Sequence, residues 1–276
     1  MAKGLMGTLL TIALKLLTGK NKTTKQTSFK SAPAGTTQTA KTGSAGTLPK
    51  NVEIIKFGPY EWRVLERKGN TTLIIMERLL KNRDWNEKDA DIRWENCTLR
   101  AYLNGEFYNS FAPGDQSRIV EVTNETPPTY YALDGKKWQI SGGGPSNDKV
   151  FLLSLDEALR YFGNSTSAFN EWYKTKEAVS LKKIPLPKGF RTDSFSDKND
   201  QLRVAILPAS AEGLTDKQKA KGDIPYEWWL RSRGGHRDSC CAAKVLGSGK
   251  VDISGSTVKG PVGGNAAVRP ALWLKM

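Results

Sequence analysis

The chain changes character at residue 50, and that break decides which part of it can fold. Residues 1–50 hold eight lysines and no Arg, Asp or Glu. Between 20 and 50 the sequence is Lys, Thr, Ser, Gly, Ala and Gln, with almost no large apolar side chain. Burial there cannot offset the entropy lost on ordering the backbone, so 20–50 is expected to be a flexible basic linker. A packed core must come from 51–276. The formal net charge of +14 over 276 residues reads differently in this light. Eight of those excess charges sit in the first fifty residues, which leaves six for the other 226.

Within the basic region, residues 1–19 are distinct. Gly4, Thr8, Thr11, Lys15 and Thr18 recur at helical spacing as a narrow polar stripe, and Leu5, Met6, Leu9, Leu10, Ile12, Leu14, Leu16 and Leu17 cover the rest. A helix over 3–18 would be about 24 Å long, short of the bilayer core. Three readings stay open: contact with a membrane surface or an assembly through 3–18, a secretory leader, or a helix packing on its own domain. Lys15 interrupts the apolar run, and no small-x-small cleavage site follows it at once. The expected location is membrane-associated or at the cell surface, with the cytoplasm as the alternative.

From Val52 the texture is that of a globular domain. Residues 52–57, 60–66 and 71–76 read as a meander of strands around Gly58-Pro59. Leu99, Leu103 and Phe107 place a helix over 96–111, with Asn96 or Thr98 as its cap. Residues 150–153 read as a buried strand, and Ser154-Leu155-Asp156-Glu157 as a capping box opening a helix through Phe162. Another helix is expected around 168–179, and strands at 203–207, 227–231 and 267–276. Short strands, two or three helices and long loops make the expected class α+β.

The familiar catalytic signatures are missing. The single His, His236, has no second His with which to build a metal site, and no HExxH, GxSxG, P-loop or GxGxxG occurs. No cofactor is expected. Cys240-Cys241 are adjacent and read as two free thiols, and Cys97 as a buried small hydrophobe. The pair Asp89/Asp91 reads as a solvated charge cluster.

The last fifty residues stand out. Tyr226-Glu227-Trp228-Trp229-Leu230-Arg231-Ser232 and Val268-Arg269-Pro270-Ala271-Leu272-Trp273-Leu274 look like framework strands. Between them, 233–267 hold eight glycines, few large apolar side chains, the sole His and two of the three Cys. Rigid framework around chemically mixed loops is the layout of a binding surface.

Five ordered motifs carry a resemblance. They are Phe57-Gly58-x-Tyr60-x-Trp62-Arg63-Val64-Leu65-Glu66, Trp94-Glu95-Asn96-Cys97-Thr98-Leu99-Arg100-x-Tyr102-Leu103-Asn104, Val150-Phe151-Leu152-Leu153-Ser154, Trp228-Trp229-Leu230-Arg231-Ser232 and Val268-Arg269-Pro270-Ala271-Leu272-Trp273. Across 52–276 the chain resembles bacterial and phage C-type-lectin-like domains of uncharacterised function. These are similar to the variable proteins of diversity-generating retroelements, and their fold is related to that of formylglycine-generating enzymes. The resemblance implies a C-type-lectin-like fold with paired first and last strands, and a variable region at 233–264. In such systems asparagine codons are randomised at adenines and cannot become Lys, Glu, Gln, Met or Trp. In 233–267 only Lys244, Lys250 and Lys259 fall outside that reachable set. The sequence departs from the pattern at Arg233, where Pro is usual, and at Cys97, where Ser is common. Formylglycine generation needs spaced cysteines, so that activity does not transfer.

The expected function is non-enzymatic ligand binding and display. One contact cluster would be Gly235, His236, Arg237, Asp238, Ser239 and Cys240; the other would be Asp252, Ser254, Ser256, Thr257, Lys259 and Pro261. The partner would be an unknown protein or cell-surface ligand. One alternative is an enzyme on the related fold with Cys240 or Cys241 as nucleophile. Another is a nucleic-acid binder acting through the lysine tail. That tail has no Arg and only Phe29 for stacking, so specific nucleic-acid binding is not expected.

Overall fold

The computed structural model describes residues 52–133, 136–181, 194–234, 240–260 and 266–276. The readings of 1–19 and 20–50 lie outside them. Strands Ile54–Phe57 (β1), Tyr60–Lys68 (β2) and Thr71–Met76 (β3) form the expected meander. Thr98–Tyr102 (α1) then runs into a π-helical turn over Leu103–Phe107, in place of one regular helix. Its cap is Cys97, between the two residues the sequence suggests, and Cys97 Sγ accepts from the Arg100 amide at 3.4 Å.

Pro113–Gln116 (α2) precedes five short strands: Ile119–Val120 (β4), Val122–Asn124 (β5), Thr129–Leu133 (β6), Lys136–Ile140 (β7) and Ser146–Asp148 (β8). Leu155–Tyr161 (α3) opens on the expected box, with Ser154 Oγ accepting from the Glu157 amide and the Glu157 carboxylate accepting from the Ser154 amide. Thr166–Leu181 (α4) and Ser194–Phe195 (β9) follow. The strand expected at 203–207 is instead the end of Asp200–Arg203 (α5) and the two-residue Ile206–Leu207 (β10). Asp216–Lys219 (α6), Ile224–Pro225 (β11), Trp228–Arg233 (β12), Cys241–Val245 (β13), Val251–Thr257 (β14) and Ala271–Lys275 (β15) complete the order.

The class is mixed α+β. One antiparallel sheet runs β1-β2-β3-β15-β4 and a second runs β12-β13-β14-β9. The last strand is not paired with the first. Ala271–Lys275 lie opposite Ile75–Thr71 of β3 on one side and pair with β4 on the other, while β1 is an edge. The expected strand at 150–153 is also absent. These four residues are buried, but only Phe151 bridges, exchanging both backbone hydrogen bonds with Ala271 at 2.8 and 2.9 Å. Residues 266–271 tie the two sheets together, because Ala267 also bridges Trp228.

Five fully buried tryptophans fill the core, and each indole N–H has an acceptor. Trp62 donates to the Phe57 carbonyl at 2.9 Å, Trp85 to Leu230 at 3.0 Å, Trp228 to Arg203 at 3.0 Å and Trp229 to Arg83 at 2.9 Å. Trp94 donates to Asp148 Oδ2 at 3.1 Å. Asp148 is wholly buried and accepts as well from Arg100 at 2.6 Å, Asn124 at 3.0 Å and Ser146 at 2.7 Å, with Asn104 at 3.4 Å. The Trp94–Asn104 motif is therefore a clamp around one carboxylate from a distant hairpin. Replacing Asp148 with Ala strands those donors, and the unfolding free energy is expected to fall by about 3–5 kcal/mol in urea titrations. Arg67→Ala, which opens the exposed pair with Glu53, is expected to cost about 1 kcal/mol or less.

Candidate functional site

The sheet β12-β13-β14 replaces most of the loop expected across 233–267. Cys241–Val245, Val251, Ile253, Ser254 and Val258 are buried. The small residues that read as loop are here because the sheet is tightly approached from neighbouring backbone. A Cβ on Gly255, at φ +68, would lie 1.8 Å from the Ala242 carbonyl oxygen, and one on Gly234 would lie 2.3 Å from that of Ser254. The interval 233–264 is thus not one continuous recognition segment; much of it is core.

Cys241 pairs with Thr257 and Ala242 with both Arg233 and Ser256, so three strand ends meet at one end of the sheet. The segments following Gly234 and Thr257 both leave from there. The Gly234 amide donates to the Cys241 carbonyl at 2.8 Å, and the Val258 amide to that of Cys240 at 2.8 Å. Val258 in turn accepts from the Asn86 amide at 3.0 Å, and the Gly260 amide donates to Asp84 Oδ1 at 2.8 Å. Buried Arg233 pairs with Asp91, and its carbonyl accepts from Thr129 Oγ1 at 3.0 Å. The roots of both segments are fixed on every side.

The structure sorts the expected contact residues. Gly235, His236, Arg237, Asp238, Ser239 and Pro261 lie outside the described residues. Cys240 and Ser256 are half-buried, and Thr257 and Lys259 are exposed, all at the shared sheet end. Ser254 is withdrawn: it is 2% exposed and its Oγ donates to Asp252 Oδ1 at 2.7 Å. That same oxygen accepts from the Gly255 amide at 3.0 Å, so Asp252 and Ser254 brace a bulge instead of facing a ligand.

Sequence reasoning missed the supports. Asp91 reads as part of a solvated charge cluster and Asp84 and Asn86 do not stand out in the sequence, yet each fastens a part of the loop roots. The signal was their crowding around Trp85, a residue too large to sit in a solvated loop. The framework motif Trp228–Ser232 also serves architecture. Arg231 holds Glu157 in a two-pronged pair and donates to the Leu152 and Glu125 carbonyls, and Ser232 Oγ accepts from the Leu155 amide at 2.9 Å.

Among the described residues no cluster of three or more His, Cys, Asp and Glu is placed to hold a metal ion, and no helix is long and apolar enough to cross a membrane. Burial pushes the Cys97 thiol up to about 12, so it stays neutral at ordinary pH. Cys241 is buried and Cys240 half-buried. Iodoacetamide at pH 8 is therefore expected to label Cys240 alone in the folded protein and all three cysteines in urea, as read by peptide mass spectrometry. Gly255→Ala is expected to lower the melting temperature by several degrees, since both φ and the Ala242 carbonyl oppose a Cβ.

No curated protein and no solved structure matches the chain. The sequence profile of a domain of unknown function, DUF6273, matches residues 69–276, and the chain belongs to that family.

Proposed function

We propose that residues 52–276 are a non-enzymatic ligand-binding domain of C-type-lectin-like kind. Its recognition surface is the sheet end from which 235–239 and 261–265 emerge. One observation carries this reading: the Cys241–Thr257 pairing brings two segments, distant in sequence, to a single rigid root. A surface of this kind tolerates exchange of its side chains because the backbone hydrogen bonds beneath it do not involve them. The partner is a protein or a cell-surface ligand, and the basic first fifty residues attach the domain to a membrane surface or an assembly. The resemblance to retroelement variable proteins adds diversification of the surface to this proposal.

Sequencing sibling copies of the gene across a population tests it. Substitutions are expected at 235–239, 256, 257, 259 and 261–265, at template adenines, with Trp228, Trp229, Arg231, Ala242 and Gly255 constant. Substitutions spread evenly over 52–276, or gathered at the buried positions, would reject diversification. The binding claim has its own readout. His236→Ala with Lys259→Ala is expected to leave the melting temperature unchanged while abolishing labelling of cells by the fluorescent full chain. Undiminished labelling would reject this surface.

A further inference from the structure

A concavity lies between α3, α4 and the end of β12, with a volume of ≈ 350 Å³. That is at the lower end of the range for small-molecule sites, about 300–1,000 Å³. Its floor is apolar: Leu155 at the start of α3, Ile253 on β14 and Phe169 on α4. Pro127 and Pro128 form a rim leading into β6. One wall is aromatic and fixed. Phe169 and Tyr173 lie on the same side of α4 with ring centroids 6.2 Å apart and planes inclined by 25°, and Phe195 meets Phe169 edge-on at 5.4 Å.

The polar side of the cleft has one sign. Among the described residues of the lining, Asp156 is the only charged one. Asp156 makes no hydrogen bond or ion pair with another described residue. The nearby guanidiniums are committed elsewhere: Arg231 to Glu157 and two carbonyls, and Arg160 to the Tyr161 hydroxyl. Burial and the charge of Glu157 raise the Asp156 pKa above the ordinary aspartate value, against the opposing pull of Arg231 and Arg160. Asn170 on the same lining adds an amide that can accept or donate.

We infer that this cleft binds a small organic ammonium ion, with the apolar body of the ligand against Phe169, Leu155 and Ile253 and its charged nitrogen beside Asp156. Two features select this class. The Asp156 carboxylate, which has no ion pair with a described residue, attracts a cation and repels an anion, and the faces of Phe169 and Tyr173 stabilise positive charge close to a ring. A neutral ligand of the same shape would gain only the apolar contacts. None of the described residues 256–260 lines the cleft.

Titration calorimetry on the full chain at pH 7 tests it with three matched probes: 2-phenylethylamine, 2-phenylethanol and phenylacetate. The amine is expected to bind about tenfold or more tightly than the alcohol, and phenylacetate not at all. Asp156→Asn should reduce amine affinity to that of the alcohol without altering the melting temperature, because the Ser154–Glu157 box remains. Asn170→Lys, at an exposed helical position, should abolish amine binding by repulsion. Equal binding of amine and alcohol, full affinity in Asp156→Asn, or no amine binding at millimolar concentration would each overturn the inference. Amine binding that persists in His236→Ala with Lys259→Ala is the expected sign that the two sites are separate.

Discussion

The fold depends on donors that side chains supply to backbone carbonyls outside the regular ladders. A compact domain with short strands and long connections leaves many such carbonyls inside, and a buried unpaired carbonyl is destabilising. Here they are met by indoles and guanidiniums. Arg63 pairs with Glu77 through two nitrogens and donates to the Leu202 carbonyl at 2.7 Å. Arg203, fully buried, donates to Gly249 at 2.8 Å while holding Asp197 and Asp200. Arg269 donates to Met76 at 2.9 Å and lies over the rings of Trp228 and Phe162. Removing a guanidinium from water is costly, so these residues are tolerable only because several of their donors find acceptors. Arg269 is the least compensated: burial and the neighbouring Arg63 charge both lower its pKa, and its Nη2 has no hydrogen-bond partner.

This arrangement separates architecture from recognition. The residues that hold β12 in place point inward and bond to chain segments far away in sequence. The end of the same sheet is held by backbone pairs instead. The pairs at Gly234, Cys240 and Val258 fix where the segments after Gly234 and Thr257 begin. The cleft beside Asp156 draws most of its described lining from helices and strands whose positions are set by packing.

The legible parts were those in which local chemistry and tertiary role agree. The meander over Ile54–Met76, the capping box at Ser154 and the aromatic framework at Trp228 and Trp229 follow from alternation, capping and bulk. The illegible parts were those in which small or charged residues do core work. Ala242, Ala243 and Gly255 read as loop because neither bulk nor alternation marks a strand whose neighbours approach within contact of its backbone. Arg203 was read as the start of a strand, whereas it ends a helical turn and fills the interior. Val150–Leu153 had the apolar run of a buried strand, yet most of its backbone partners are side chains and isolated bridges. At the candidate site the sequence exposed the unusual composition, but it gave no sign that Asp252 and Ser254 would bond to each other.

The position of β15 has a kinetic consequence. The strand that completes the first sheet follows every other described strand in sequence, and its partner β3 lies near the beginning of the domain. Until β15 is in place, β3 and β4 each present an open edge, and the bridge to Phe151 cannot form. Closure of the first sheet is therefore governed by a contact of very high sequence separation, which makes it slow. A product truncated anywhere in the loops lacks that strand and exposes β3 to aggregation or proteolysis.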